Sequence, residues 1–251
     1  MILIYVLYNL LFSISGWLQS IPDHAPVPVT KLADTEITAS FYKEIDWLGE
    51  PLDSGIFNSA IQGYNFLEDS LGRFNRPFLT IIDFSRPSNL KRLWVVNMET
   101  KELMLHTLVA HGRNSGEIKP HLFSNKINSL QSSLGFYKTG ATYTGKHGLS
   151  LKLNGFEPGI NDLAEARAIV IHGADYVSEN YIARNGRLGR SHGCPAVATG
   201  VHTQLINMIK NNTCLFVYYP DKEYFKESSI LSNKQNAAFF SEQQTNVLND
   251  L

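Results

Sequence analysis

The sequence predicts a mainly β domain with a few helices, an α+β fold built on an antiparallel sheet. Three observations carry this. Only 18% of the 251 residues are charged and Asn, Ser, Thr and Gly abound, a composition of strands and loops rather than of a helical bundle. Apolar, β-rich runs follow closely at Phe78–Phe84, Arg92–Met98 and Leu103–Ala110, with Glu99-Thr100-Lys101 as a tight turn between the last two. From Gly135 to Leu153 short strand-like stretches alternate with polar loops punctuated by Gly140, Gly145 and Gly148.

The other elements follow in chain order. Residues 1–20 read as a signal peptide: Ile2–Leu18 is apolar, shorter than the about 20 residues of a membrane span, and Ser13, Ser15, Gly16 and Ser20 offer small residues for cleavage. No Lys or Arg precedes that run, so an uncleaved anchor or a buried strand is the alternative. Residues 21–52, with Pro22, Pro26, Pro28 and Pro51, read as a linker. Asp53 or Ser54 caps a helix to about Leu67, since Ile56, Ala60, Ile61 and Tyr64 share one face. His111–Gly116 is a polar, glycine-bearing loop. Asn161-Asp162 caps a short helix through Ala168, and Ala168–His172 is a short buried strand. The polar segment Gly173–Arg190 reads as a mobile loop. Val197–Lys210 places Val201, Leu205, Ile206 and Ile209 at helical spacing, and Thr213–Tyr219 is a strand. Residues 53–220 thus form the folded domain, and 221–251, rich in Asn, Gln and Ser, a loosely packed extension.

Net charge is −1, from 22 basic and 23 acidic residues, so no general electrostatic pull draws the chain to nucleic acid or to an anionic membrane. With the leader removed, no stable membrane insertion of the domain is expected, and export places it in the periplasm or cell envelope. The two cysteines, Cys194 and Cys214, permit a disulfide in an exported protein. Their settings differ, however. Cys214 lies in an apolar strand, where a thiol behaves as a small hydrophobe, and Cys194 in a turn rich in Gly and His. One reactive and one inert thiol is the favoured reading.

The chemistry centres on Ser191-His192-Gly193-Cys194-Pro195, preceded by Ile169-Val170-Ile171-His172-Gly173. A thiol becomes a nucleophile when an imidazole takes its proton. His172 ends a strand and would be held rigidly, with the Gly173 carbonyl accepting its second N–H, which makes it the better base. His192 can fix the turn. The amides of Gly193 and Cys194 can form an oxyanion pocket, and a helix starting near Val197 would lower the thiol pKa. Each histidine also has a purely structural reading. Zinc on His172, His192 and Cys194 is disfavoured, because His-x-Cys is not a usual zinc pair and no fourth ligand is evident.

The elements His172-Gly173 and Ser191-His192-Gly193-Cys194 resemble the signature of the murein L,D-transpeptidase catalytic domain family (YkuD-type). Leu108–Gly116, Gly140–Gly148 and Arg190–Val197 extend the resemblance over roughly residues 53–220. It implies a β-sandwich or barrel with the cysteine on a turn before a helix. It implies Cys194 as nucleophile and His172 as base, with Gly173 orienting that base, Ser191 and His192 shaping the pocket, and Gly193 with Cys194 as oxyanion donors. The substrate class would be peptidoglycan stem peptides, cross-linked or trimmed through an acyl-enzyme, with no metal or organic cofactor. Two departures stand out. Many members carry an arginine two residues after the cysteine, where this chain has Ala196, so Arg190, Arg187 or Arg184 becomes the candidate carboxylate anchor. The 18 residues between His172 and Ser191 sit at or slightly above the family range. His111, His147 and Tyr143 are further candidates to line the groove, as is Tyr137. Another cysteine peptidase or acyltransferase, or a non-catalytic wall-binding protein, are the rival readings.

Overall fold

Nine strands form one mixed sheet in the order β3-β2-β1-β9-β5-β6-β7-β8-β4. They are β1 (Phe78–Asp83), β2 (Leu93–Asn97), β3 (Glu102–Thr107), β4 (Val109–Ala110), β5 (Gly135–Gly145), β6 (Gly148–Gly155), β7 (Val170–Gly173), β8 (Ala196–Val197) and β9 (Cys214–Tyr218). Only Leu108 separates β3 from β4, yet these two strands stand at opposite ends of the order. A single extended stretch therefore serves both edges, and the sheet curls into a nearly closed barrel. The computed structural model describes residues 38–232 apart from Leu48 and Glu50. The expected leader, residues 1–20, and residues 233–251 lie outside the described residues.

The mainly β architecture with a few helices is as expected, and most pairings are antiparallel. Two are parallel, β1 with β9 and β7 with β8, because helical or looped crossovers return the chain in the same direction. The second of these pairs builds the site.

Helix α1 (Ser54–Leu71) starts where Asp53 Oδ1 accepts from the amides of Gly55 at 2.8 Å and Ile56 at 3.1 Å. Its buried face, Ile56, Phe57, Ala60, Ile61, Tyr64 and Leu67, closes one side of the core. Across it Phe136 and Phe216 stack at 4.3 Å between ring centres.

Four segments differ from the sequence expectation. Residues 38–44 are helical, and Ile45, Trp47 and Leu52 are buried in the core, although composition assigned this stretch to a linker. Residues 161–168 form successive turns rather than a helix. Asn161 is committed elsewhere: its amide donates to the carbonyls of Leu134 (2.8 Å) and Phe136 (3.0 Å), and its oxygen accepts from Glu157 N (2.9 Å). The segment 173–190 holds helix α2 (Glu179–Asn185), capped by Ser178, and a small apolar cluster of Leu108, Ala110, Ala174, Val177, Leu188 and Ala196. That cluster ties the supposed loop to the barrel.

Beyond residue 220 the chain also remains docked. Asp221 caps helix α4 (Lys222–Glu227), and Tyr224, Phe225 and Leu231 are buried. Glu157, itself buried, accepts from Phe136 N (2.7 Å), Tyr224 Oη (3.2 Å) and Ser228 Oγ. Burial raises its pKa, and these donors oppose the rise.

Candidate active site

The parallel pair β7/β8 brings the two sequence motifs together. His172 stands opposite Ala196 in the register, so the turn Ser191–Pro195 enters immediately beside the histidine. Ser191 braces that turn from within: its Oγ donates to Cys194 O at 2.6 Å and accepts from Gly193 N at 3.0 Å. Gly193 has φ +122°, and a Cβ there would lie 2.7 Å from Gln131 O, so only glycine fits. Ser132 Oγ donates to Gly193 O at 3.2 Å from the opposite wall.

His172 is buried, and its Nδ1 lies 3.0 Å from Gly173 O. A carbonyl can only accept, so Nδ1 carries the proton and Nε2 is left unprotonated. Burial lowers the His172 pKa below 6.5, Gly173 partly opposes this, and His147, Lys146 and His202 add to it. The Cys194 thiol donates to Ala168 O at 3.7 Å. Burial raises its pKa above 9.0, opposed by the amides of Val170 and Cys194 and by the charges of Arg167 and Lys146. The resting pair is therefore a neutral thiol and a neutral imidazole. Both line one cavity of about 470 Å³.

Two electrostatic expectations are corrected here. Helix α3 (His202–Ile209) begins eight residues after Cys194 instead of at Val197. Ala196 and Val197 are taken up by pairing with β4 and β7, so no helix end lies at the thiol to lower its pKa. The Gly193 amide, expected to face an oxyanion, is engaged by Ser191 Oγ. Of the two expected donors, the Cys194 amide remains beside the sulfur.

The other predicted residues fall into two groups. His192, exposed, and Tyr143, 43% exposed, line the cavity, as do Arg190 and His147. The His147 ring stacks on His172 at 4.5 Å between centres. His111 is not at the cavity. It is fully buried, accepts from Arg92 Nη2 at its Nδ1 (2.9 Å) and donates from Nε2 to Gly116 O (3.2 Å). Desolvation and then Arg92 lower its pKa to about 3, so it is a neutral structural link. Tyr137 is likewise buried, bonded to Ser133, and presents no stacking face. Arg187 is absent from the lining and pairs with Glu117 at 3.1 Å. Arg190 shares that partner at 2.6 Å and also donates to the carbonyls of Arg113 and Gly116. Arg184 lies in the last turn of α2, away from the lining.

Sequence reasoning missed Arg167, Lys146 and Tyr176, all of which line the cavity. Arg167 donates to Ser124 O (2.6 Å), Ser133 Oγ (3.1 Å), Ser129 Oγ (3.3 Å) and Gln131 O, stapling residues 124–133 into one wall. Its only sequence signal was proximity, five residues before His172. Cys194 and Cys214 are both free thiols, and Cys214 is fully buried in β9. Among the described residues no group of three His, Cys, Asp or Glu is placed to hold a metal, and no helix is long and apolar enough to cross a membrane.

The nearly closed barrel thus presents a cysteine and a tautomer-fixed histidine in one cavity. The sequence matches the model of the L,D-transpeptidase catalytic domain over residues 49–218, and the chain belongs to that family. Among curated proteins none matches. Solved structures of low similarity include an L,D-transpeptidase from Mycobacterium smegmatis (10% identity, 57% of this chain and 59% of that chain, TM-score 0.37). Others are an L,D-transpeptidase from Stackebrandtia nassauensis (16%, 65% and 66%, 0.33) and a helical cell shape determining protein from Campylobacter jejuni (13%, 74% and 63%, 0.37). The chain thus spans about three-fifths of the length of the solved chains it matches.

Proposed function

We propose that this chain is an exported peptidoglycan L,D-transpeptidase that works through a Cys194 acyl-enzyme on tetrapeptide stems. The observation that carries the reading is the His172–Gly173 hydrogen bond of 3.0 Å, which leaves Nε2 as a free base in the cavity that Cys194 lines. Membership in the family supports the substrate class, and the apolar run Ile2–Leu18 supports export to the periplasm or cell envelope.

The steps follow from the charge states. Because the resting pair is neutral, the thiol proton moves to His172 Nε2 as Sγ attacks the stem carbonyl. The Cys194 amide stabilises the oxyanion. Collapse of the tetrahedral species breaks the C–N bond, and the His172 imidazolium returns the proton to the leaving amine. The thioester then reacts with an acceptor amine, giving a cross-link, or with water, giving a trimmed stem. In either case His172 removes the incoming proton and the sulfur takes it back. Ser191 holds the turn throughout, His192 shapes its rim, and Arg167 keeps the opposite wall in place.

Purified muropeptides incubated with the protein and read by mass test this. Loss of the terminal residue from tetrapeptide stems, with or without dimer formation, is expected, and Cys194→Ser should abolish both. Unchanged muropeptides with wild-type protein would count against the reading.

A further inference from the structure

We propose that Lys146, at the tip of the β5–β6 hairpin, binds the substrate's carboxylate and so sets specificity for the acyl transfer described above, the reading on which this inference rests. The cavity lining contains Lys146, Arg167 and Arg190, together with three imidazoles, and no Asp or Glu. On a chain of net charge −1 that is a local concentration of positive charge, suited to an anionic ligand. Ala196 is fully buried and offers no polar side-chain atom, which leaves these three as the Lys and Arg candidates in the lining.

Two of the three are already committed. Arg190 is neutralised by Glu117 at 2.6 Å and spends its remaining reach on the Arg113 and Gly116 carbonyls. Arg167 gives four hydrogen bonds to the wall of residues 124–133, and redirecting it to a ligand would release that wall. Lys146 is exposed, and its ammonium has no hydrogen-bond or ion-pair partner among the described residues. It lines the same cavity as Cys194 and His172, and its charge contributes to the electrostatics of both. A compact ammonium on a flexible stem can meet a carboxylate without breaking an existing bond.

A tetrapeptide stem presents a terminal carboxylate and, where its third residue is diaminopimelate, a side-chain one. Three probes separate these sources: the stem with both carboxylates free, the stem with its terminus amidated, and the stem with its side chain amidated. Lys146 also influences the thiol, but that influence acts equally on all three probes, so the acid-to-amide ratio of kcat/KM isolates carboxylate binding. Wild-type protein should prefer the free acid over one amide by about fivefold to tenfold, as expected for an accessible charged hydrogen bond. The amide that loses rate identifies the carboxylate. Lys146→Met should bring the ratio near one, whereas Lys146→Arg and Arg190→Gln should keep it. A preference that survives Lys146→Met, or that Arg190→Gln alone removes, overturns the assignment while leaving the acyl-enzyme reading intact. Wild-type protein inert on all three stems, or Cys194→Ser still active, overturns that reading and this inference with it.

Discussion

At His172 a single backbone contact decides the chemistry. The Gly173 carbonyl fixes the tautomer, and burial keeps the ring neutral while it also keeps the neighbouring thiol protonated. The proposed mechanism therefore needs no preformed thiolate. Its kcat/KM should hold a broad plateau, falling in acid only below pH 6.5, where His172 gains a proton, and in base only above pH 9.0, where Cys194 loses one. Limbs that fall inside that window would contradict the neutral resting pair. His172→Ala should slow acylation by about 10²- to 10⁴-fold near neutral pH, the usual contribution of a positioned base. If His192→Ala has that effect and His172→Ala does not, the base is the other imidazole. Both residues were legible in the sequence because each sits in a compact motif. Lys146 and Arg167 were not, since a lone cation in a loop carries no pattern, and only the fold reveals that Arg167 has four hydrogen-bond partners while Lys146 has none among the described residues.

Elements were read well where periodicity and caps agreed, and less well where a tertiary contact overrode them. Asp53 and the α1 face were plain from the sequence, and so were β1, β2 and the Cys214 strand. Asn161 has the form of a helix cap, yet two carbonyls of the β5 region claim its side chain. Val197 has the form of a helix start, yet the two neighbouring strands claim its backbone. Helix α4 was hidden for another reason: a polar composition masked the three apolar residues that dock it. Deleting the chain after Pro220 removes the burial of Tyr224, Phe225 and Leu231 and two donors to Glu157. At about 1.5–3 kcal/mol for each apolar side chain, the loss is of the order of a domain's whole stability. The truncated protein should therefore show no cooperative melt in circular dichroism. A melt matching that of the full chain would mean that α4 is a mere appendage.

On the scale of the whole molecule, barrel closure links these parts. The stretch β3–β4 reaches both edges of the sheet, and Arg92, held by Val109 O at 2.9 Å and by His111, clamps the junction. Pairing of β4 with β8 then holds the strand that carries the Cys194 turn against β7. Such closure is non-local and has no sequence motif, which is why the sheet's existence was legible and its order was not. The central claim, that this barrel presents one acylable thiol, is tested most directly by intact mass after incubation with a carbapenem, whose strained amide acylates a reactive thiol. One adduct is expected, mapping to Cys194 and lost in Cys194→Ser, with Cys214 unmodified because burial raises its pKa and hides it. A wild-type protein that gains no mass, or an adduct that persists in Cys194→Ser, would contradict it.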